Sequence, residues 1–174
     1  DLYLIHERPR YQAYGQLLES LLNRARQKLA PSARVESRTK EPASFAEKCI
    51  RKSDKYRAPA FQLTDLCGAR VVVDTKEEAD LICEFIRLHF SIDEGNTEDV
   101  RERLKASEFG YRSVHFVVQV PPSIAEKLDL TGQEKKWLAQ INEGDSPETI
   151  RMRKAEIQVR TRLQHIWADS FHDR

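Results

Sequence analysis

The stretch LTDLCGARVVVD, residues 63–74, sets the layout of the chain. Val71-Val72-Val73 is a β-branched run bounded by polar residues, and such a run predicts a strand covered on both faces of a sheet. Gly68 marks a tight point ahead of it, and Asp65 stands at its head. A carboxylate there is either a solvated strand end or a metal ligand. A second strand, Ala155-Glu-Ile-Gln-Val-Arg160, alternates strictly and carries Glu156. If the two strands are neighbours, Asp65 and Glu156 could hold one divalent cation between them.

Outward from this pair, the N-terminal region reads as a helix over residues 2–29. Tyr14, Leu17, Leu18, Leu21, Leu22, Ala25 and Leu29 form one apolar stripe, opposite Arg24, Arg26 and Lys28. Residues 34–40 alternate as a strand, and Pro42 suits the first turn of a helix over 42–53 with Phe45, Ala46, Cys49 and Ile50 inward. Thr75 and Glu78 make a capping box that opens a helix to about His89, with Ala79, Leu81, Ile82, Phe85 and Ile86 as its stripe. Residues 90–93 read as a short strand, and 94–110 as a long polar loop of the kind that is often functional. A Gly-hinged turn then presents Tyr111 ahead of a strand that Pro121-Pro122 ends. Residues 123–151 read as a helical insertion interrupted at Gly132 and Gly144, and Thr161 is placed to cap a final helix. The expected fold is α/β (α+β): one domain over residues 1–174, with a mixed sheet of about five strands flanked by helices.

Composition narrows the function classes. Hydrophobic residues make up 40% of the 174, enough for a core, and the charged 33% balance to a net +1. That balance argues against a general nucleic-acid or membrane binder. No apolar run reaches membrane-spanning length. Cys49, Cys67 and Cys83 are odd in number and lack zinc-type spacing, which predicts reduced thiols in a cytoplasmic protein. Neither GxxxxGK[ST] nor GxGxxG occurs, so a P-loop or Rossmann site is not supported. The chain opens on Asp1 rather than Met and is expected to be part of a longer protein, with further domains outside it and homo-oligomerisation open.

The basic residues cluster. Arg38 and Lys40 share a strand face, and Ser44 and Lys48 lie one turn apart on the helix that follows. Three cations and a hydroxyl at a strand–helix junction make either a polyphosphate site or a solvated basic face.

Four motifs stand in order: SRTKEPASFAEK (37–48), DLCGAR (65–70), GYRSVH (110–115) and EIQVRT (156–161). As an ordered set they resemble the RelA/SpoT synthetase domain over roughly residues 34–172. The resemblance implies a nucleotidyltransferase-like sheet and a pyrophosphokinase that moves the pyrophosphate of ATP to the 3′-hydroxyl of GDP or GTP with Mg2+. Carried over motif by motif, it gives Arg38, Lys40, Ser44 and Lys48 the ATP phosphates and Asp65 a magnesium ligand's role. Arg70 supports that site or the donor nucleotide. Tyr111 stacks on the acceptor guanine, and His115 contacts acceptor phosphate or ribose. Glu156 binds magnesium or takes the hydroxyl proton, with Gln158 and Arg160 alongside. Magnesium prefers one or two carboxylates plus substrate phosphates, and phosphoryl transfer needs positioning and charge neutralisation above all, so these residue types suit the chemistry. One departure stands out: the acceptor loop carries Phe109 where the family pattern has Asn. Relatives that act on adenine nucleotides or tRNA 3′ ends, and a nucleotide-binding regulatory module without turnover, are the alternatives.

Overall fold

The computed structural model describes residues 6–51, 66–99, 113–121, 123–144, 153–163 and 165–166. Asp65, Tyr111 and Trp167 lie outside the described residues. In chain order the elements are α1 (Arg8–Leu29), β1 (Arg34–Thr39), α2 (Pro42–Arg51), β2 (Cys67–Val73), α3 (Lys76–His89), β3 (Ser91–Ile92), β4 (Glu98–Asp99), β5 (Val114–Gln119), α4 (Ile124–Lys127), α5 (Gly132–Asn142) and β6 (Ala155–Thr161). The strands form a mixed sheet in the order β1-β2-β6-β5-β3, with β4 also on β5. β2 and β6 run parallel and the other pairs antiparallel, so the two strands that opened the sequence reading are neighbours.

β2 corrects one expectation. Its burial alternates: Cys67, Ala69, Val71 and Val73 are buried, while Gly68, Arg70 and Val72 are half-buried. The Val run is therefore fully covered on one face and partly covered on the other. The helices supply the reason, because α1 packs on β1 and β2 and α3 on β2 and β6. The apolar face beneath them joins Val71 and Val73 to Phe116, Val118, Ile157 and Val159 in one core with the α1 leucines. Burial pushes the Cys67 thiol far above its usual range, which makes it an inert core side chain.

α1 forms because its stripe is nearly unbroken: Tyr11, Tyr14, Leu17, Leu18, Leu21, Leu22 and Ala25 are all buried. The Tyr14 hydroxyl donates to the Val118 carbonyl at 3.2 Å, and burial raises its pKa. At the start of α1, Glu7 and Arg153 form a buried two-bond pair, with Arg153 Nε and Nη2 donating to Glu7 Oε2 and Oε1 at 3.1 and 3.0 Å. α3 keeps its expected capping box, Glu78 N donating to Thr75 Oγ1 and Thr75 N to Glu78 Oε1, both at 3.1 Å. Its buried stripe is Ala79, Ile82, Cys83 and Ile86, whereas Leu81 is turned outward. On α2 the expected inward residues Ala46 and Ile50 are exposed, Ile50 at 79%.

Within the segment expected as an insertion, α5 packs on α1. Gly132, expected to interrupt it, is the first residue of α5, behind an unexpected capping box of Thr131 and Glu134. Buried Glu134 also accepts from Ser20 Oγ at 3.0 Å and faces Arg24 Nε at 3.6 Å, docking α5 on α1. Part of the expected 94–110 loop is β4. With β3 it forms an interrupted edge along β5, joined by a turn in which Asp93 accepts from Asn96 Nδ2 at 2.8 Å and pairs with Lys154 Nζ at 2.5 Å.

Candidate active site

Register decides which side chains meet on the other face of the sheet. One row across it is Glu36, Arg70, Gln158 and His115, each opposite the next on β1, β2, β6 and β5. The adjacent row is Arg38, Gly68, Glu156 and Val117. Because successive residues of a strand alternate faces, the residues at even positions of β6 and β2 share this side. They border a cavity of about 190 Å3 lined by Glu36, Arg38, Gly68, Arg70, Glu156 and Gln158, with neighbouring backbone. A Cβ on Gly68 would stand 3.1 Å from the Glu156 carbonyl oxygen, so glycine permits the two backbones to approach as they do.

A polar chain runs along β6. Arg160 Nη2 donates to Gln158 Oε1 at 2.6 Å, and Gln158 Nε2 donates to Glu156 Oε1 at 3.0 Å. A guanidinium can only donate, which fixes the orientation of the amide: its oxygen faces Arg160 and its nitrogen faces the carboxylate. From β5, His115 brings Nδ1 to 3.7 Å from the same Glu156 oxygen, while its Nε2 lies 2.6 Å from the Oγ of buried Ser113. Glu156 is about one-quarter exposed, at the cavity wall.

The donor set fits anionic ligands and a hard cation. Arg70 Nε is buried with no hydrogen-bond partner among the described residues, beside the cavity that the residue lines. A buried donor of this kind carries a desolvation cost that a phosphate oxygen would offset. Arg38 adds a second guanidinium to the same wall. Glu156 is an oxygen donor at the cavity, of the type magnesium takes in ones and twos. Among the described residues no three His, Cys, Asp or Glu side chains converge, so a closed cage of the zinc kind is not built there.

Of the residues expected from sequence, Arg38, Arg70, His115, Glu156, Gln158 and Arg160 come together on this one face. Lys40 follows β1 directly, its N–H donating to the Leu66 carbonyl at 2.7 Å. Exposed Ser44 and half-buried Lys48 follow on α2, and none of the three is in the described lining of the cavity. Glu36 and Ser113 were not expected. Each stands two residues before an expected one, Arg38 and His115, and strand parity alone puts such pairs on one face.

A family model described as a region found in RelA / SpoT proteins matches residues 37–173. The chain belongs to the RelA/SpoT family. No curated protein sequence matches this RelA/SpoT chain. Solved structures do. The small alarmone synthetase 1 from Bacillus subtilis is 24% identical with a TM-score of 0.68, over 99% of this chain and 78% of that one. A GTP pyrophosphokinase family protein from Streptococcus pneumoniae is 26% identical with a TM-score of 0.65, over 95% and 72%. The Bacillus subtilis small alarmone synthetase 1 bound to its product pppGpp is 24% identical with a TM-score of 0.65, over 94% and 76%. The mixed α/β architecture of this RelA/SpoT domain is thus the one found in alarmone synthetases.

Proposed function

We propose that this chain is an ATP-dependent, Mg2+-dependent pyrophosphokinase that makes (p)ppGpp from ATP and GDP or GTP. The observation that carries the reading is the single polar face on which Arg38, Arg70, Glu156, Gln158, Arg160 and His115 meet, with, beside its cavity, an Arg70 Nε that has no partner among the described residues. Its setting supports it: a RelA/SpoT family member whose fold matches one synthetase solved both with pppGpp and with AMPCPP.

In this reading the bond formed joins the acceptor 3′-oxygen to the β-phosphorus of ATP. The bond broken is that between the β-phosphorus and the oxygen bridging to the α-phosphate, and AMP leaves. Arg38 and Arg70, with Lys40, Ser44 and Lys48 from the adjoining segment, hold the donor phosphates. The arginines supply paired N–H contacts and the lysines compact charge. Glu156 and Asp65 are the carboxylates that would hold magnesium, which when bound neutralises phosphate charge and makes the attacking hydroxyl easier to deprotonate. Alternatively to holding magnesium, Glu156 would take the hydroxyl proton. Its Oε1 is fixed by Gln158, so the carboxylate does not have to be ordered at the moment of reaction. Tyr111 serves the acceptor base by stacking, and His115, Gln158 and Arg160 border the acceptor side.

The test is to incubate the chain with Mg2+, ATP and GDP or GTP and to measure AMP and a 3′-pyrophosphorylated guanine nucleotide. Glu156→Gln is expected to lower turnover by about 10²–10⁴-fold, the usual contribution of a positioned proton acceptor. Absence of AMP with either guanine acceptor would overturn the reading. Phe109 in the acceptor loop favours a second one, with an adenine nucleotide or a tRNA 3′ end as acceptor. Label from γ-labelled ATP appearing on deacylated tRNA or on an adenine nucleotide would select it.

A further inference from the structure

We infer that His115 serves the site through Nδ1 alone, as a positioning residue for Glu156, because buried Ser113 holds its other nitrogen. The catalytic part of this inference rests on the proposed function; the ring's orientation does not. Ser113 is completely buried and stands immediately before β5, two residues from His115. Its Oγ lies 2.6 Å from His115 Nε2, a short hydrogen bond whichever partner carries the proton. A hydroxyl buried to this degree is held by its partner, because breaking the bond would leave it desolvated. Nε2 is the outer nitrogen of an imidazole and would ordinarily be the one to reach a substrate. Here it is turned to the protein.

The other edge of the ring looks into the site. His115 pairs across the sheet with Gln158, and the oxygen to which Gln158 donates, Glu156 Oε1, is the one 3.7 Å from His115 Nδ1. The imidazole therefore spans from a buried hydroxyl to the carboxylate. Ser113 sets the ring's angle, the ring faces Glu156, and Gln158 holds the same oxygen from β6. Gln158 thus holds this carboxylate oxygen by a hydrogen bond and the imidazole faces it from β5 within ion-pair range, which leaves Oε2 as the atom that meets proton or metal.

Two amide substitutions separate the ring's nitrogens, since the nitrogen of Asn can occupy the place of Nδ1 and that of Gln the place of Nε2. His115→Asn is expected to keep turnover within about tenfold of the parent, and His115→Gln to lose about a hundredfold, since each 1.4 kcal/mol is a factor of ten. The reverse order would overturn the inference. Ser113→Ala should lower kcat about five- to tenfold, the worth of one net hydrogen bond, with little change in acceptor KM. It should cause no further loss in the His115→Asn background, where nothing remains for the hydroxyl to hold. A readout independent of turnover is the 15N spectrum of the histidine-labelled chain. Ser113→Ala should move the Nε2 resonance of His115, and Glu156→Gln its Nδ1 resonance. If Ser113→Ala leaves Nε2 in place, the inference fails even in an active enzyme. If the resonances move as expected but no acceptor is pyrophosphorylated, the ring's placement stands and the proposed activity falls.

Discussion

Arg70 is in tension with its surroundings until something binds. Its Nε is buried and has no hydrogen-bond partner among the described residues, and an unmet donor of this kind costs roughly 1–3 kcal/mol. Arg70→Met removes that cost while keeping an unbranched side chain over the sheet. The expected outcome is an unliganded domain as stable as the parent or up to about 1 kcal/mol more stable by denaturant midpoint, together with a KM for ATP raised about tenfold. A variant that loses stability and keeps its KM would show that Arg70 serves the fold instead. At this scale the sequence is highly legible, for a simple reason. Arg38, Arg70, Glu156, Gln158 and Arg160 stand on strands, where parity fixes the face, so recognising the strands puts them on one side of the sheet. Glu36 and Ser113 obey the same parity; Glu36 lies outside the four motifs, and Ser113 lies inside GYRSVH but was given no role there. Asp65 and Tyr111 fall outside the described residues and remain parts of the proposal.

Elements were legible where periodicity was long and less so where composition misled. The stripe of α1 and the capping box of α3 were enough to fix helix type, although α1 runs from Arg8 to Leu29 where 2–29 was expected. The three valines of β2 were not enough: a continuous apolar run is also what a strand with one fully covered face shows when its outward residue happens to be Val72. Two ion pairs tie the sheet's lead-in segments to other elements, and each makes a prediction. The Glu7–Arg153 pair is almost wholly buried, with the Arg153 side chain 1% exposed. Removing one partner leaves a buried charge, so Arg153→Ala is expected to cost about 3–5 kcal/mol in unfolding free energy. Asp93 is the milder case. Hydrogen bonds from Lys154 and Asn96 hold its carboxyl below the usual range despite some burial. A depressed folded-state value means that this contribution is complete above the unfolded pKa of about 3.9 and fades as pH falls through the lower folded value. Acid titration of stability should therefore show a loss below about pH 4 that Asp93→Asn reduces; an unchanged acid limb would refute the coupling.

On the scale of the whole molecule, the sheet separates support from chemistry. α1, α3 and α5 pack together on one side, and the cavity residues lie on the other. The general architecture followed from the alternation of helical and strand patterns, but the strand order did not, because nothing local in β6 announces that it lies between β2 and β5. That placement has a consequence for how the protein is made. In order of synthesis β6 follows the other five strands, and it must enter between two of them that are already complete. Until it does, β2 and β5 each present an unpaired edge, a template for wrong pairing. A chain cut after Gly144 is accordingly expected to aggregate, read as light scattering during refolding, where the full chain stays clear. It would also carry no Glu156. On the proposed function, a ribosome-bound precursor that has not yet placed β6 would be unable to consume ATP, and the pairing that closes the described sheet would double as the step that completes the site.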